Sequence, residues 1–372
     1  MSAIYKKLEE VCEILDSRRV PITAKNRKTG IYPYYGANGL QDYVAEYIFD
    51  DELVLLAEDG GNFGSKERPI AYRVSGKCWV NNHAHVLKAK PLVNADYLCY
   101  ALMFYDTEGL VNGATRQKLT QTAMRQMMIP YRNMTEQLQI ADEINQVIRL
   151  IDKRKEELSL LDQLVKSRFI ELFGTLDNPA YEFGRAALRE LCNKITDGKH
   201  GGCTVVEGTN RYFVGAREIY DDEIHYDTAS EISVEEFEKD YKRCNVEIGD
   251  LLIVNTGATI GKSAIALDKR TEHTLLQKSV ALLKVKTEIL NPVFLKWCYR
   301  INTKMYKVES ASAQPNLLLS KINNTVIYVP DIELQNQFAS FATQTDKSKY
   351  LFYCLEYIRN NFNAMLEFYM GG

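Results

Sequence analysis

Residues 135–174 read TEQLQIADEINQVIRLIDKRKEELSLLDQLVKSRFIELFG and carry the clearest structural signal in the chain. Apolar residues recur along them at alternating intervals of four and three, the rhythm of a coiled-coil seam. We predict a helix from Thr135, its N-cap, to Gly174, its C-cap. About 40 residues of helix form a rod of roughly 60 Å. The predicted seam positions are Ile140, Ile144, Val147, Ile151, Arg154, Leu158, Leu161, Val165, Arg168 and Leu172.

A second set of positions near the end of the chain keeps the same rhythm with weaker residues. It predicts another long helix, and two equal rods are expected to pair antiparallel because the chain must return past itself. The alternative, in which each helix packs only on its own globular part, remains open. The second set is Phe338, Phe341, Thr345, Ser348, Phe352, Leu355, Arg359, Phe362, Leu366 and Tyr369.

The residues before each helix form an internal sequence repeat. At an offset of 197 residues Asn94 aligns with Asn291, and at an offset of 200 Pro130 aligns with Pro330. We therefore predict an α+β chain of two pseudo-repeated globular α/β domains, each followed by a long helix, with the two helices pairing as an antiparallel coiled coil. The predicted boundaries are 1–134 and 175–330 for the globular domains, and 135–174 and 331–370 for the helices.

Composition places the chain among ordinary globular proteins. Its 372 residues are 46% hydrophobic and 26% charged, with a mean hydropathy of −0.28, and neither a transmembrane helix nor a signal peptide is predicted. The 8 cysteines include no CxxC pair. Reduced, buried thiols and a cytoplasmic location are therefore expected.

The net charge hides an uneven distribution. The chain has 46 Lys and Arg against 49 Asp and Glu, a net charge of −3 that argues weakly against a nucleic-acid partner. Residues 218–240, however, hold ten acids and one lysine, whereas residues 241–330 hold 13 basic and six acidic residues. A basic surface is therefore expected beside an acidic insertion that faces protein or solvent.

Several catalytic patterns are nearly present and fail. Residues 257–263 resemble a phosphate-binding loop, but three residues separate the glycines where four are needed. Residues 291–294 read NPVF and lack the second proline of the signature of amino-methyltransferases. His83 and His85 could project from one face of a strand as a metal pair, yet no third ligand lies near in sequence. We predict neither a catalytic centre nor a metal site.

The polar residues suit contact with DNA instead. Cations interleaved with aromatics and amides can anchor phosphates and read base edges, although a solvated loop position is the alternative for each residue taken singly. The candidates in the first block are Arg27, Lys28, Tyr34, Asn38, Asn62, Asn81, Asn82, His83, Arg116, Gln117 and Lys118. Those in the second block are Lys199, His200, Thr256, Thr259, Lys262, Gln277, Lys278, Gln314 and Asn316.

Local motifs along the whole chain point to one family. They are RVPI (19–22), YYGANG (34–39), EDGGN (58–62), WVNNHAHVL (79–87), KSRFIELFG (166–174), GDLL (249–252) and TGATIGK (256–262). With the duplication and both helices, they make the chain resemble the specificity subunit of type I restriction-modification systems, built from target-recognition domains and spacer helices.

The resemblance implies a non-enzymatic, DNA-binding subunit that reads a bipartite, asymmetric target, with the helices as a ruler for the unread spacer. It also implies two modification subunits that carry S-adenosylmethionine and methylate adenine N6, and restriction subunits that use ATP and Mg²⁺ in phage defence. No cofactor is expected in this chain. The alternatives are a self-sufficient adenine-N6 DNA methyltransferase and a coiled-coil scaffold without a role on DNA.

Overall fold

The computed structural model describes residues 4–113, 116–307, 315–347 and 350–370. The chain forms two compact units, one of residues 1–156 with 351–372 and one of residues 157–350. No helix within the described ranges is long and apolar enough to cross a membrane. Of the seven cysteines whose surroundings are described, all are free thiols, and every one except the half-buried Cys203 is buried.

Within its described residues, the first unit contains ten strands and the beginning of the long helix. The strands are β1 (Ile4–Lys7), β2 (Cys12–Ile14), β3 (Thr29–Gly36), β4 (Gly39–Val44), β5 (Phe49–Ala57), β6 (Ala71–Val80), β7 (Ala84–Ala89), β8 (Val111–Asn112), β9 (Lys118–Leu119) and β10 (Met128–Tyr131). The helices are α1 (Leu8–Val11), α2 (Ala95–Met103), α3 (Gln121–Arg125) and α4 (Met134–Phe173).

A six-stranded sheet forms the centre of this unit, in the order β2-β7-β5-β6-β3-β4. Side chains along a strand point alternately to the two faces of the sheet. In β5, Val54 and Leu56 enter the core cluster on one face, while Leu53 and Leu55 enter a different cluster. Both faces are therefore covered, which explains why residues 53–57 of this strand form an unbroken apolar run.

The described part of the second unit has eleven strands, none longer than six residues. They are β11 (Gly184–Ala187), β12 (Cys192–Asp197), β13 (Tyr212–Val214), β14 (Ile219–Tyr220), β15 (Glu223–Ile224), β16 (Ser230–Glu231), β17 (Leu251–Val254), β18 (Ser263–Ile265), β19 (Thr274–Leu276), β20 (Val280–Val285) and β21 (Val326–Val329). The later helices of the chain are α5 (Leu188–Leu191), α6 (Val234–Asp240), α7 (Pro292–Ile301), α8 (Leu319–Asn324), α9 (Ile332–Lys347) and α10 (Tyr350–Met370).

The predicted duplication is visible in both units. Strand β17 lies inside the sheet β12-β20-β17-β18, with Leu251 and Ile253 in one core cluster and Leu252 and Val254 in another, as in β5. Antiparallel pairs β1–β10 and β11–β21 precede the two helical regions. The repeat identified at an offset of 197 residues is therefore a repeat of structure.

The ends of α4 confirm one predicted cap and correct the other. Asn133, and not Thr135, is the N-cap, because its Oδ1 accepts a hydrogen bond of 3.0 Å from the N–H of Glu136. Gly174 has a φ of +71°, and its N–H donates to the carbonyl of Ile170 at 2.8 Å. This left-handed glycine is the predicted C-terminal stop.

Each unit pairs one part of α4 with another helix. In the first unit Ile140, Ile144 and Ile151 are buried in one cluster with Phe362 and Leu366 of α10. The hydroxyl of Tyr369 also donates to Glu143 at 2.5 Å. Early residues of α4 therefore meet late residues of α10, as antiparallel pairing requires.

In the second unit the end of α4 meets the middle of α9. Val165, Phe169 and Phe173 are buried in one cluster with Phe338 and Ala342. The rings of Phe169 and Phe338 pack edge to face, with centroids 5.2 Å apart.

The predicted seam is correct over most of α4 and shifts by one residue at its end. Phe169 and Phe173 are fully buried there, whereas the predicted Arg168 and Leu172 are only half-buried. A straight helix drifts by about 20° per heptad relative to a 3.5-residue repeat, which over nearly five heptads is about one residue. In the second set Ser348 lies outside the described residues, as do the side chains of Phe352, Leu355 and Arg359.

Candidate nucleic-acid interface

A turn in the first unit, residues 58–60, pairs with residues 117–119. Asp59, just after β5, forms an isolated bridge with Lys118. The N–H of Leu119 donates to the carbonyl of Glu58 at 2.7 Å, and that of Gly60 donates to Gln117 at 3.2 Å. We call residues 58–62 together with 116–119 the first loop pair. Several sequence-predicted DNA contacts thus lie side by side.

The second unit repeats this arrangement. Thr256, just after β17, forms an isolated bridge with Asn316. The N–H of Leu317 donates to the carbonyl of Asn255 at 2.7 Å, and that of Gly257 donates to Pro315 at 3.1 Å. Residues 255–259 together with 315–317 form the second loop pair. The predicted contact Gln314 lies outside the described residues.

Three predicted side chains converge on Asp59 and Gly60 in the first loop pair. Oδ1 of Asp59 accepts a 2.7 Å hydrogen bond from Nη2 of Arg116 and lies 2.6 Å from Nδ1 of His83. Nδ2 of Asn38 donates to the carbonyl of Gly60 at 3.0 Å. The Asp59 side chain is 18% exposed, but that of Arg116 is 59% exposed. The arginine therefore remains accessible while one of its nitrogens is held.

A network of charged side chains, most of them buried or half-buried, contacts the first loop pair from the interior of the unit. Nδ1 of His85 lies 2.6 Å from Oδ2 of Asp16, and Nε2 lies 2.9 Å from the carbonyl of Leu119. Glu58 binds Arg19 at 2.6 Å and Lys118 at 2.9 Å. These contacts tie β7 and the start of the chain to the segment that carries Lys118.

The two carboxyls of this network have lowered pKa values. Burial by itself would raise the pKa of Asp16, but hydrogen bonds from His85 and two other donors outweigh it. Burial also acts to raise the pKa of Glu58, and hydrogen bonds from Arg19 and Lys118 bring it below its ordinary value. Both carboxyls are therefore held as anions.

The same network contains residue types that can bind a metal ion, but their arrangement does not suit one. One ligand atom each from Asp16, Glu58 and His85 lies within 4.8 Å of the others. Arg19, however, lies 2.6 Å from Glu58 and 3.5 Å from Asp16, so a guanidinium takes the position where a cation would bind. His83 and His85 do not form a pair, because each faces a different aspartate.

Two of the predicted DNA contacts have buried side chains. Tyr34 is 1% exposed and packs with Val44 and Trp79. Its ring supports Arg27, whose guanidinium carbon lies 4.1 Å from the ring centroid. Asn81 is 3% exposed, and its Oδ1 accepts a 2.8 Å hydrogen bond that fixes the backbone N–H of His83. Both residues shape the unit and are not free to reach a base.

Lys199 is engaged within its own unit. Its Nζ lies 2.7 Å from Asp240 and 3.4 Å from Glu236, two acids four residues apart on α6. The hydrogen bond that Lys199 donates to Asp240 raises the pKa of Lys199 well above its ordinary value. Lys199 therefore stabilises α6 and does not present a free charge.

Predicted contacts in the second unit line a cleft of about 530 Å³. Thr256, Thr259 and Lys262 line this cleft together with Arg217 and Tyr220, which come from an earlier segment of the chain. Sequence reasoning missed Arg217 and Tyr220 because they stand at the edge of the acidic insertion. The pattern of an exposed cation beside buried apolar residues at 213–215 is a signal that could have identified Arg217.

The remaining predicted contacts lie on the surface to different degrees. Arg27, Asn62 and Gln277 are half-buried, and Arg27 is also paired with Asp42 at 3.3 Å. The exposed ones are Lys28, Asn82, Gln117, His200, Lys278 and Asn316.

Part of the acidic insertion is neutralised by cations of its own unit. Asp222 binds Lys296 at 3.2 Å and Arg300 at 2.7 Å. Asp227 binds Arg270 at 3.1 Å. These acids therefore serve contacts within the unit.

The near-catalytic patterns have structural roles. Residues 257–262 join β17 to β18, so a strand follows the turn where a phosphate-binding loop needs a helix. Asn291 caps α7 by accepting a 2.8 Å hydrogen bond from the N–H of Val293. Its repeat equivalent Asn94 caps α2 by accepting a 2.9 Å bond from Tyr97. The NPVF segment is therefore the start of a helix, as its repeat partner is.

The family model of the Type I restriction modification DNA specificity domain matches residues 4–160 and 185–359. The chain belongs to this family. The two matched regions coincide with the two copies of the repeat, each with its loop pair. The predicted family is thereby confirmed.

Two relatives of the specificity-domain family share part of the sequence. A protein of Haemophilus influenzae, described as a type I restriction enzyme specificity subunit, is 38% identical over 136 residues, 37% of this chain and 35% of that protein. The EcoprrI specificity subunit of Escherichia coli is 30% identical over 81 residues, 22% of this chain and 19% of that protein. The chain thus spans about a third of the first relative's length and about a fifth of the second's.

Solved structures share the fold over nearly the whole chain. The S subunit of a type I restriction-modification system from M. genitalium matches with a TM-score of 0.63 at 16% identity, covering 98% of this chain and 96% of that one. A chain from a study of complex assembly and conformational transition of the type I R-M system matches with a TM-score of 0.53 at 15% identity, with the same coverage. The specificity-domain fold predicted for this chain is therefore confirmed.

Proposed function

We propose that this chain is the DNA-recognition subunit of a type I restriction-modification complex. Its recognition domains, at 1–134 and 175–330, would each read one part of a bipartite, asymmetric target. One observation supports this most strongly: the two loop pairs share their backbone pairing but carry different side chains. Asp59 and Lys118 in the first correspond to Thr256 and Asn316 in the second.

Base recognition depends on which donors and acceptors meet the base edges in the major groove. Two loop pairs that share their backbone pairing and differ in their side chains suit two half-sites of different sequence. Charged Arg116 is exposed in the first loop pair, whereas the second loop pair carries the hydroxyl of Thr256 and the amide of Asn316. An asymmetric target follows directly from this difference.

The long helix would set the distance between the two half-sites. Helix α4 is 40 residues long, which corresponds to roughly 60 Å. Proteins with two linked readers contact DNA at a spacing set by the protein between them. We therefore infer that the length of the helical region determines the number of unread base pairs.

Other subunits would catalyse DNA methylation and cleavage. We infer that this chain is not itself an enzyme and that it directs two modification subunits, which bind S-adenosylmethionine, to adenine N6. Restriction subunits using ATP and Mg²⁺ would join the same complex to cleave DNA. The site of action would be the cytoplasm, where the target DNA lies.

The proposal can be tested by mapping adenine methylation in the cells that carry this gene. Deleting the gene should abolish methylation at one bipartite motif, and the wild-type gene should restore it. A double variant with both Lys118 and Lys262 changed to Ala should restore it poorly. An unchanged methylation map after deletion would refute the proposal.

A further inference from the structure

The contacts around Asp59 hold an arginine in a defined orientation at an accessible position. We propose that Arg116 reads a guanine in one half-site of the target and that Asp59 is the residue that positions it. This inference rests on the proposed function, since it assigns a base to one side chain of the first loop pair.

Arg116 is held on two sides. Its Nη2 donates to Oδ1 of Asp59 at 2.7 Å. The guanidinium also lies against Gly60, where an added Cβ would come within 3.3 Å of Nε and of Nη2. Gly60 has a φ of +62°, a conformation that other residues rarely adopt. The turn therefore brings bare backbone against the guanidinium and limits its movement.

Asp59 is itself fixed by a second donor. Nδ1 of His83 lies 2.6 Å from the same Oδ1, and the backbone N–H of His83 is fixed by Asn81. With two donors on one oxygen, the negative charge of Asp59 is compensated locally and repels DNA phosphates less than a free carboxylate would.

The remaining donors of Arg116 are available to a ligand. Among the hydrogen bonds of the described residues, Arg116 donates from Nη2 to Asp59, and 59% of its side chain is exposed. Guanine presents two acceptors, O6 and N7, on its major-groove edge, and the arginine fork matches them bidentately. Because Asp59 and Gly60 already orient the guanidinium of Arg116 before binding, less conformational entropy is lost when it binds. An oriented arginine is therefore better suited to a base than to a phosphate.

Lys118 provides a contrast on the same loop pair. Its Nζ lies 2.9 Å from Glu58, and its compact ammonium carries no planar fork. A lysine in this position suits a phosphate oxygen, whose recognition does not depend on sequence. The two cations of the loop pair are thus assigned different tasks.

The test uses the full chain isolated together with the subunits that co-purify with it. The complex first selects its target from a library of random-sequence DNA duplexes. Binding is then measured to duplexes that carry each of the four bases at every target position. Arg116→Lys should lose roughly ten-fold or more in the preference for guanine at one position, with the other positions unchanged.

The Asp59→Asn variant distinguishes a role of Asp59 in positioning Arg116 from a role in folding. It should weaken the same guanine preference, while binding to random duplex stays equal or rises because a negative charge has been removed. A purely structural defect would instead lower all binding. The control is Arg125→Lys, which changes an arginine paired at 3.3 Å with Glu9 on the surface of the same unit and should leave every preference intact.

Two outcomes would overturn the inference. Uniform weakening by Arg116→Lys at all positions would show a phosphate anchor, and no change would show that Arg116 does not contact the target. If the wild-type complex selects no target at all, the proposed function itself fails, and the assignment of a guanine falls with it.

Discussion

Gln137 and Gln335 make the same three hydrogen bonds in the two copies of the repeat. Oε1 of Gln137 accepts from the N–H of Asn94 at 2.8 Å, and its Nε2 donates to two backbone carbonyls. Oε1 of Gln335 accepts from Asn291 at 2.9 Å, and its Nε2 does the same. Both side chains are 0% exposed. Each buried amide joins the start of a long helix to the cap of the short helix before it.

Removing either amide should destabilise its unit. Gln137→Leu keeps the side-chain volume but leaves a backbone N–H and two carbonyls buried without partners. Because an unpaired buried polar group costs about 1–3 kcal/mol, we expect a loss of at least about 2 kcal/mol in the free energy of unfolding. Gln335→Leu should do the same, with faster hydrogen exchange confined to the second unit.

The matched control is Gln139→Leu, an exposed glutamine on the same helix. Denaturant unfolding should show a change within about 0.5 kcal/mol for this variant. If Gln137→Leu and Gln139→Leu have equal effects, the buried amide does not stabilise the junction.

Most of the fold can be predicted from short patterns of residues that lie close together in the sequence. The periodic seam of α4, the left-handed Gly174, and the caps Asn94 and Asn291 all lie within a few residues of the structure they specify. Gln137 and Gln335 were not identified, because a glutamine in an amphipathic helix looks like any solvated position. Their role depends on backbone groups of another segment.

The candidate site was harder to predict because its residues meet across long separations. Arg116 and Asp59 are 57 residues apart, and His85 and Asp16 are 69 apart. Polar residue types also do not reveal burial, and for this reason the sequence gives no sign that the side chains of Tyr34 and Asn81 are buried. The internal repeat is the most useful long-range signal, because its offset of 197 residues relates Asp59 to Thr256.

The cleft of the second unit should contribute to phosphate binding. Changing Arg217 and Lys262 to Ala together removes two exposed cations from its walls. Each lost phosphate contact should make the slope of log affinity against log salt concentration shallower by about 0.9. Binding titrations at several salt concentrations measure this slope.

Lys239→Ala is the control for this pair, because it removes an exposed cation from the acidic helix α6. It should leave both affinity and slope unchanged. An unaltered slope in the Arg217 and Lys262 double variant would exclude the cleft from the DNA contact.

The buried network around Asp16 should make the first unit sensitive to acid. Although burial acts to raise the pKa of Asp16, hydrogen bonds lower it overall in the folded protein. Its stabilising contribution is therefore fully present above the unfolded value of about 3.9 and is lost as the pH falls through the folded pKa. Wild type should unfold at higher denaturant concentration than Asp16→Asn at about pH 5, and the gap should narrow at about pH 3.

Glu46→Gln, at an exposed carboxyl of the same unit, serves as the reference for this comparison. It should change stability little at either pH. A gap for Asp16→Asn that stays constant or widens toward low pH would contradict the ion-pair network.

The helical region should act as a ruler. Inserting four residues between Ile151 and Leu158 adds roughly 6 Å of helix. We expect the methylated motif to keep both half-site sequences and to gain unread base pairs between them. Sequencing of adenine methylation in cells that carry the insertion gives the spacer directly. An unchanged spacer, or altered half-sites, would refute the ruler.

The central claim is that each loop pair reads its own half-site, and selection from a random duplex library by the intact complex tests it most directly. The wild type should enrich two short sequences separated by a fixed unread gap. Arg116→Lys should alter only one of them, and Thr256→Val with Asn316→Ala should alter only the other. A single continuous motif, or a change in both half-sites from either variant, would contradict the account.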